Sequence, residues 1–201
     1  NIIKVLDGRY MAISAFIPVK NFNISKERLS NILSSSERSN LAERMARHTV
    51  KTLVDSDICD SIFIVTNDKE LMFDEAKSFY TSSPLNSALI EAIRSHNKNE
   101  IILIMHADLP RINELDLHLL KNKFANQKVS IVSDLLKNGT NCLMYEASQN
   151  FELKFGLNSY NLFTEEFKKN NISFQDINLS TLQDDLDSEE DYFKLVKHIN
   201  G

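Results

Sequence analysis

Three groups of residues in this chain have the types and spacing for chemistry on a phosphorylated ligand. The first is Asp108, in the segment Glu100–Pro110, EIILIMHADLP. Five apolar residues, Ile101 to Met105, predict a strand buried on both faces. Pro110 cannot join a sheet ladder and turns Leu109 away from helix, so the strand must end there. Asp108 is thereby set at the carboxyl end of a strand, where open α/β sheets bind ligands. Its carboxylate can hold a divalent cation or cap the following turn. The second group is the acidic run Asp184-Asp185-Leu186-Asp187. Alternate residues of an extended segment share a face, so Asp185 and Asp187 point the same way. Joined to Asp108 they make a magnesium site; alone they are an acidic lead into a helix at Ser188, Glu189 and Glu190. The third is the cationic stretch Lys20, Lys26 and Arg28, suited to phosphate or to a solvated loop. Two small hydroxylic motifs, Gly139-Thr140-Asn141 and Phe155-Gly156-Leu157-Asn158-Ser159, read as oxyanion sites or as plain turns.

Much other chemistry is excluded. Four glycines, Gly8, Gly139, Gly156 and Gly201, cannot build a GxGxxG fingerprint or a P-loop. A bound nucleotide must therefore find its phosphate contacts on side-chain cations. No HxxxH or HExxH spacing supports zinc, and no GxSxG elbow supports a hydrolase. Of the histidines, only His106 lies near the expected centre. Cys59 and Cys142 are far apart and read as reduced thiols. A net charge of −5 argues against a nucleic-acid polymer as partner. No apolar run reaches the roughly 20 residues of a membrane span, and the first ten residues lack a signal-peptide pattern. These features suit a cytoplasmic protein.

The elements that must position these groups follow from periodicity. Strands are expected at Ala12–Val19, Ser61–Thr66, Ile101–Met105, Val129–Ser133, Cys142–Tyr145 and Ile177–Leu179. Ser34 with Glu37 forms a capping box for a helix running to about Val54. Further helices are expected over Lys69–Tyr80, from Pro84 through Asn86 to Ile93, and over Glu114–Phe124, Ser159–Asn170 and Glu189–Ile199. Asp134–Asn141 reads as a loop. Alternating strands and helices predict a mainly parallel, three-layer α/β sheet. Residues 11–201 form one domain in this reading, and residues 1–10 an extension or expression remnant.

The series PVKNFNISKERL, SSSERSNLAERMARHTV, PLNSALIEAI, HADLP, SDLLKNGTN, FGLNSY and DDLDSEEDY resembles the 2-phospho-L-lactate guanylyltransferase family of deazaflavin coenzyme biosynthesis. The likeness runs from about Phe16 to Asp191. It implies a nucleotidyltransferase fold of the glycosyltransferase-A, Rossmann-like type, and a homodimer. By position, it implies that Lys20, Lys26 and Arg28 face a triphosphate and that Asn86 lies near the nucleotide. Asp108, Asp185 and Asp187 match metal-binding carboxylates for Mg2+. Thr140, Gly156 and Ser159 match the positions that hold the phospho-acid. Three departures stand out. Lys137-Asn138-Gly139-Thr140 replaces two Gly-Thr pairs, His106 replaces a small residue or proline, and Ser188-Glu189 replaces Thr-Pro.

The implied reaction joins GTP to a small phospho-acid. A phosphate oxygen of the acid attacks the α-phosphorus, and pyrophosphate leaves. Lys20, Lys26 and Asp108 are the expected catalytic residues. The acceptor phosphate is already ionised, so no strong general base is needed. The residues leave 2-phospholactate, phosphoenolpyruvate and 3-phosphoglycerate open as acceptors. A glycosyltransferase-like enzyme using a nucleotide sugar fits the same fold, as does a degenerate nucleotide-binding relative.

Overall fold

The computed structural model describes residues 12–97, 99 and 101–199, and the backbone of 5–6 and 9–10. The expected extension over residues 1–10 lies partly outside these residues. Within it, β1 (Val5–Leu6) and β2 (Arg9–Tyr10) pair antiparallel. Met11 and Glu100 also lie outside the described residues.

The chain then enters β3 (Ile13–Val19), whose only partly exposed residue is Pro18. Such a run is stable only with strands on either side and helices over both faces. The strand is flanked by β4 (Ser61–Thr66) and β6 (Ile101–Met105), both parallel to it. Beyond β4 lies the edge strand β5 (Lys77–Tyr80), again parallel. Beyond β6 come β8 (Thr140–Glu146), β7 (Val129–Ser133) and β9 (Gln175–Asp176). The seven strands run in the order β5-β4-β3-β6-β8-β7-β9, with β8 antiparallel to both neighbours. The sheet is mainly parallel, as the sequence predicts.

Each face of the sheet carries its own core. On one face, α1 (Ser35–Ser56) and α3 (Glu114–Phe124) bury Ala46, Val50, Leu53, Leu117 and Leu120 against Ile17, Leu103 and Met105. On the other, α2 (Leu85–His96) and α4 (Ser159–Lys169) bury Leu89, Phe163 and Phe167 against Phe16, Ile104 and Leu143. A third, small cluster joins Leu29, Leu41, Met45, Leu186, Leu195 and Ile199. It ties the loop after β3 to α1, to the 184–187 segment and to α6 (Glu189–Leu195). The Ser34–Glu37 capping box is formed, with Glu37 N–H donating to Ser34 Oγ at 3.3 Å.

Two expected elements differ. Lys69–Tyr80 is not a helix. Leu71 and Phe73 are buried on alternate positions, the chain turns through a Phe73–Ala76 bridge, and Lys77–Tyr80 completes the sheet edge. The open ladder of β4 outcompetes helical propensity there. Ile177–Leu179 is not a strand either: pairing ends at Asp176, although Ile177 N–H still donates to the Ile131 carbonyl at 2.8 Å. The chain needs those residues to turn into a short helix, α5 (Ser180–Gln183). Smaller shifts occur at Pro84, which caps α2 instead of opening it, and at Thr140 and Asn141, which belong to β8.

Leu103 is fully buried in the central β6. Leu103→Ala should lower unfolding free energy by about 2–5 kcal/mol, read by urea denaturation. A loss below about 1 kcal/mol would mean that this strand is not the packed centre.

Candidate functional site

The site begins with a lysine in an unusual backbone state. The chain leaves β3, passes a 3-10 turn at Phe22–Ile24, and puts Lys26 in the left-handed region at φ 55°. A non-glycine residue held there costs about 1–3 kcal/mol, so its surroundings must fix it. Those surroundings are anionic. Lys26 Nζ donates to Asp108 Oδ2 at 2.8 Å, Asp187 Oδ1 at 2.8 Å and the Leu186 carbonyl at 2.6 Å. Its side chain is only 8% exposed. Burial opposes the ammonium charge, but the Asp108 and Asp187 carboxylates outweigh it and hold the Lys26 pKa above the ordinary lysine range. Burial likewise opposes the Asp108 charge, and Lys26 in turn holds that carboxyl below its usual value.

Asp185 has no such cation. Burial, with the Asp108 and Asp187 carboxylates beside it, pushes its pKa up to about 7. Asn141 Nδ2 donates to it only at 3.4 Å. The backbone of this segment is anchored by Leu186 N–H donating to the Asp108 carbonyl at 3.0 Å. Asp184, first of the acidic run, turns away: it is buried and paired with Arg111 and with Lys194 at 2.9 Å. Arg28 stays exposed, 3.8 Å from Asp187, and Lys20 is exposed.

The structure therefore brings Asp108, Asp185 and Asp187 to one place, around Lys26. Among the described residues no three His, Cys, Asp or Glu side chains are arranged to hold a metal ion by themselves. The donor set nevertheless suits magnesium, which takes one or two carboxylates and fills its remaining positions with water and substrate oxygens. Among the described residues Asp108 Oδ1 is buried with no hydrogen-bond partner, and Asp185 has no counter-charge. Both are consistent with a cation binding there.

The second half of the site is set by a β-bulge. Val132 pairs with Cys142, but the next pair is Ser133 with Thr140, which leaves Asn141 as the extra residue of β8. A bulge re-aims the side chains around it. Asn141 reaches the Leu182 carbonyl at 3.1 Å, on the carboxylate side. Thr140 shares the opposite face with Ser133, and both are buried. On that face lies the loop before α4. Gly156 has φ +128°, a conformation open to glycine, and a Cβ there would meet nothing within 4 Å. Its requirement is conformational; there is no steric crowding. Ser159, buried at the start of α4, donates its N–H to the Gly156 carbonyl at 3.2 Å.

Asn86, which the resemblance sets near the nucleotide, bonds a loop in this structure. Its Nδ2 donates to the Phe155 carbonyl at 2.9 Å, and its Oδ1 accepts from Phe155 N–H at 2.9 Å. It thus clamps the Phe155–Ser159 loop to α2. Two further positioning residues carry no sequence signature. Asp134 accepts from Asn138 and Gly139 N–H at 2.7 and 2.8 Å, closing the 134–139 turn. Asp176 accepts from Lys137 and from Tyr160 Oη, fastening that turn to α4.

A mainly parallel sheet with helices on both faces, and with cations, carboxylates and hydroxyls at one end, has the nucleotidyltransferase fold. Solved structures agree on the fold. A nucleotidyl transferase from Methanothermobacter thermautotrophicus matches at TM-score 0.65 and 16% identity, covering 94% of this chain and 98% of that one. CMP:2-keto-3-deoxy-manno-octonic acid synthetase, complexed with CTP, matches at TM-score 0.64 and 11% identity, covering 94% and 98%. The sequence places it more closely. Residues 13–201 match the family described as "Guanylyl transferase CofC like", and the chain belongs to that family. Its relatives include the 2-phospho-L-lactate guanylyltransferases of Methanosphaera stadtmanae and Methanocaldococcus jannaschii. The first is 31% identical over 92% of this chain and 84% of the relative; the second, 29% over 92% and 82%.

Replacing Lys26 by methionine leaves a buried carboxylate uncompensated. Lys26→Met should cost about 3–5 kcal/mol of stability in chelator, read by urea denaturation. A cost below about 1 kcal/mol would show that the ion cluster is solvated.

Proposed function

We propose that this chain transfers GMP from GTP to a phosphorylated small carboxylic acid and releases pyrophosphate. The observation that carries the reading is the meeting of Lys26 with Asp108 and Asp187, with Asp185 beside them, next to a separate group of buried hydroxyls. One half of the site is built for charge at a phosphate, the other for a small oxyanion.

The chain's own residues divide the work. Asp108, with Asp185 or Asp187, would hold Mg2+. The ion, when bound, supplies charge neutralisation at the α-phosphate. Lys26 is positioned to exchange its carboxylate partners for phosphate oxygens, and Lys20 and Arg28 to meet the triphosphate and departing pyrophosphate from the exposed side. Thr140, Gly156 and Ser159 orient the acceptor through hydroxyl and backbone N–H groups. No group needs to remove a proton, because the attacking oxygen belongs to an ionised phosphate. Rate then comes from alignment and fixed charge.

The same reading takes the protein as a cytoplasmic homodimer that serves deazaflavin coenzyme formation. The acceptors in view are 2-phospholactate, phosphoenolpyruvate and 3-phosphoglycerate. Incubation with GTP, magnesium and each acid, followed by mass analysis, should give one guanylylated acid and pyrophosphate. Release of GDP with transfer of a sugar from a GDP-sugar would favour the glycosyltransferase alternative instead.

Two variants sharpen the assignment. Asp108→Asn keeps shape but removes a charge, and should lower turnover at least about 100-fold with the fold intact by circular dichroism. Near-normal pyrophosphate release at saturating magnesium would remove Asp108 from the metal set. Asn86→Ala should raise the acceptor KM several-fold through the loosened Phe155 loop, with GTP affinity by calorimetry nearly unchanged. The opposite pattern would return Asn86 to the nucleotide.

A further inference from the structure

Three polar atoms at one end of the sheet, after β6, at the end of β7 and at the start of β8, take no part in the Lys26 ion pairs. They are His106 Nε2, Thr140 Oγ1 and Ser133 Oγ. Each is buried, and among the described residues each lacks a hydrogen-bond partner. Buried polar groups left unpaired are costly and call for an explanation, a ligand among them. They lie side by side. His106 N–H donates to the Asn141 carbonyl at 2.9 Å, next to Thr140, and Thr140 pairs with Ser133 across the bulge.

The three also share one face. Met105 packs on the α1 side of the sheet, so His106, next along the strand, points to the other. Its ring meets Phe155 at 5.6 Å between centroids. Phe155 is itself held at both backbone groups by Asn86. The imidazole therefore has a fixed wall and a free nitrogen.

We infer that His106 and Ser133 are specificity-determining residues that donate hydrogen bonds to the carboxylate of the acceptor acid. The inference rests on the guanylyl-transfer reading. A phospho-acid has two anionic ends, and its phosphate must face the nucleotide at the Asp108–Asp185 side. The carboxylate is left for donors on the other face, where Thr140, Gly156 and Ser159 supply only part of the roughly four hydrogen bonds its two oxygens can accept. His106 and Ser133 supply the remaining donors. Entry is assigned to the Gly156–Asn158 tip of the loop, beyond the clamped Phe155, where Leu157 is 92% exposed.

The test compares the acid that turns over best with its analogue in which the carboxylate is reduced to a primary alcohol. His106→Ala and Ser133→Ala should each raise KM for the acid about tenfold or more, as expected for loss of a hydrogen bond to a charged group. KM for the alcohol and for GTP should change less than about twofold, and His106→Gln should recover part of the loss. On the intact protein labelled with 15N-histidine, the acid should shift the His106 Nε2 resonance and the alcohol should not. Equal effects on acid and alcohol, or none on either, would overturn the carboxylate assignment. Wild-type protein that makes no guanylylated acid would instead overturn the proposed reaction. In that event the resonance decides separately: a shift by the acid keeps His106 as a carboxylate donor, and no shift removes it.

Discussion

The rest of the site depends on one buried ammonium. Lys26 Nζ sits between carboxylates that come from the end of β6 and from the segment before α6, 82 and 161 residues away in sequence. Three carboxylates gathered in a poorly solvated place would repel one another. Without a cation they would stay apart or take up protons. The lysine makes their approach tolerable, and the left-handed backbone at Lys26 shows how firmly its loop is held. The small apolar cluster around Leu29 and Leu186 supplies that hold. Packing places the loop and the acidic segment together, and charge then fixes their register.

The sheet separates two kinds of recognition. On the α1 side of its carboxyl edge the groups are charged: Lys26, Asp108, Asp185 and Asp187. On the α4 side they are hydrogen-bonding groups: His106, Ser133, Thr140 and the Ser159 hydroxyl. The turn of the chain after Met105 and the bulge in β8 produce this division, because in a regular strand His106 and Asp108, two residues apart, would share a face. A donor and an acceptor can thus meet over the same strand end while each is read by its own chemistry. Asn86 extends the neutral half by fastening Phe155 to α2, a task that its earlier likeness to a nucleotide contact did not suggest.

Much of this was legible in the residues. The apolar run before Asp108, stopped by Pro110, specified a central strand and where it ends. The Ser34–Glu37 box marked the start of α1, and Glu114–Phe124 and Val129–Ser133 were readable to the residue. Lys77–Tyr80 was not. A four-residue edge strand carries too little pattern to outweigh helix-forming neighbours, and only the presence of β4 decides it. The burial of Lys26 was equally hidden, since it depends on pairing across the whole chain. Lys20 and Lys26 look alike in sequence, yet one is exposed and the other enclosed. The roles of Asp134 and Asp176 as turn fasteners, and of Ser133 as an open donor, require the bulge in β8 to be seen.

That bulge gives one residue position an uneven mutational tolerance. Substitution at Asn141 changes a single side chain, but its deletion would set Thr140 and Cys142 opposite Ser133 and Val132 in plain register, removing the bulge and the amide that reaches the Leu182 carbonyl. Length changes in the 134–139 turn leave the bulge in place. Over evolutionary time, diversity in this region should therefore accumulate as insertions in the turn, while the count of residues from Thr140 to Cys142 stays fixed.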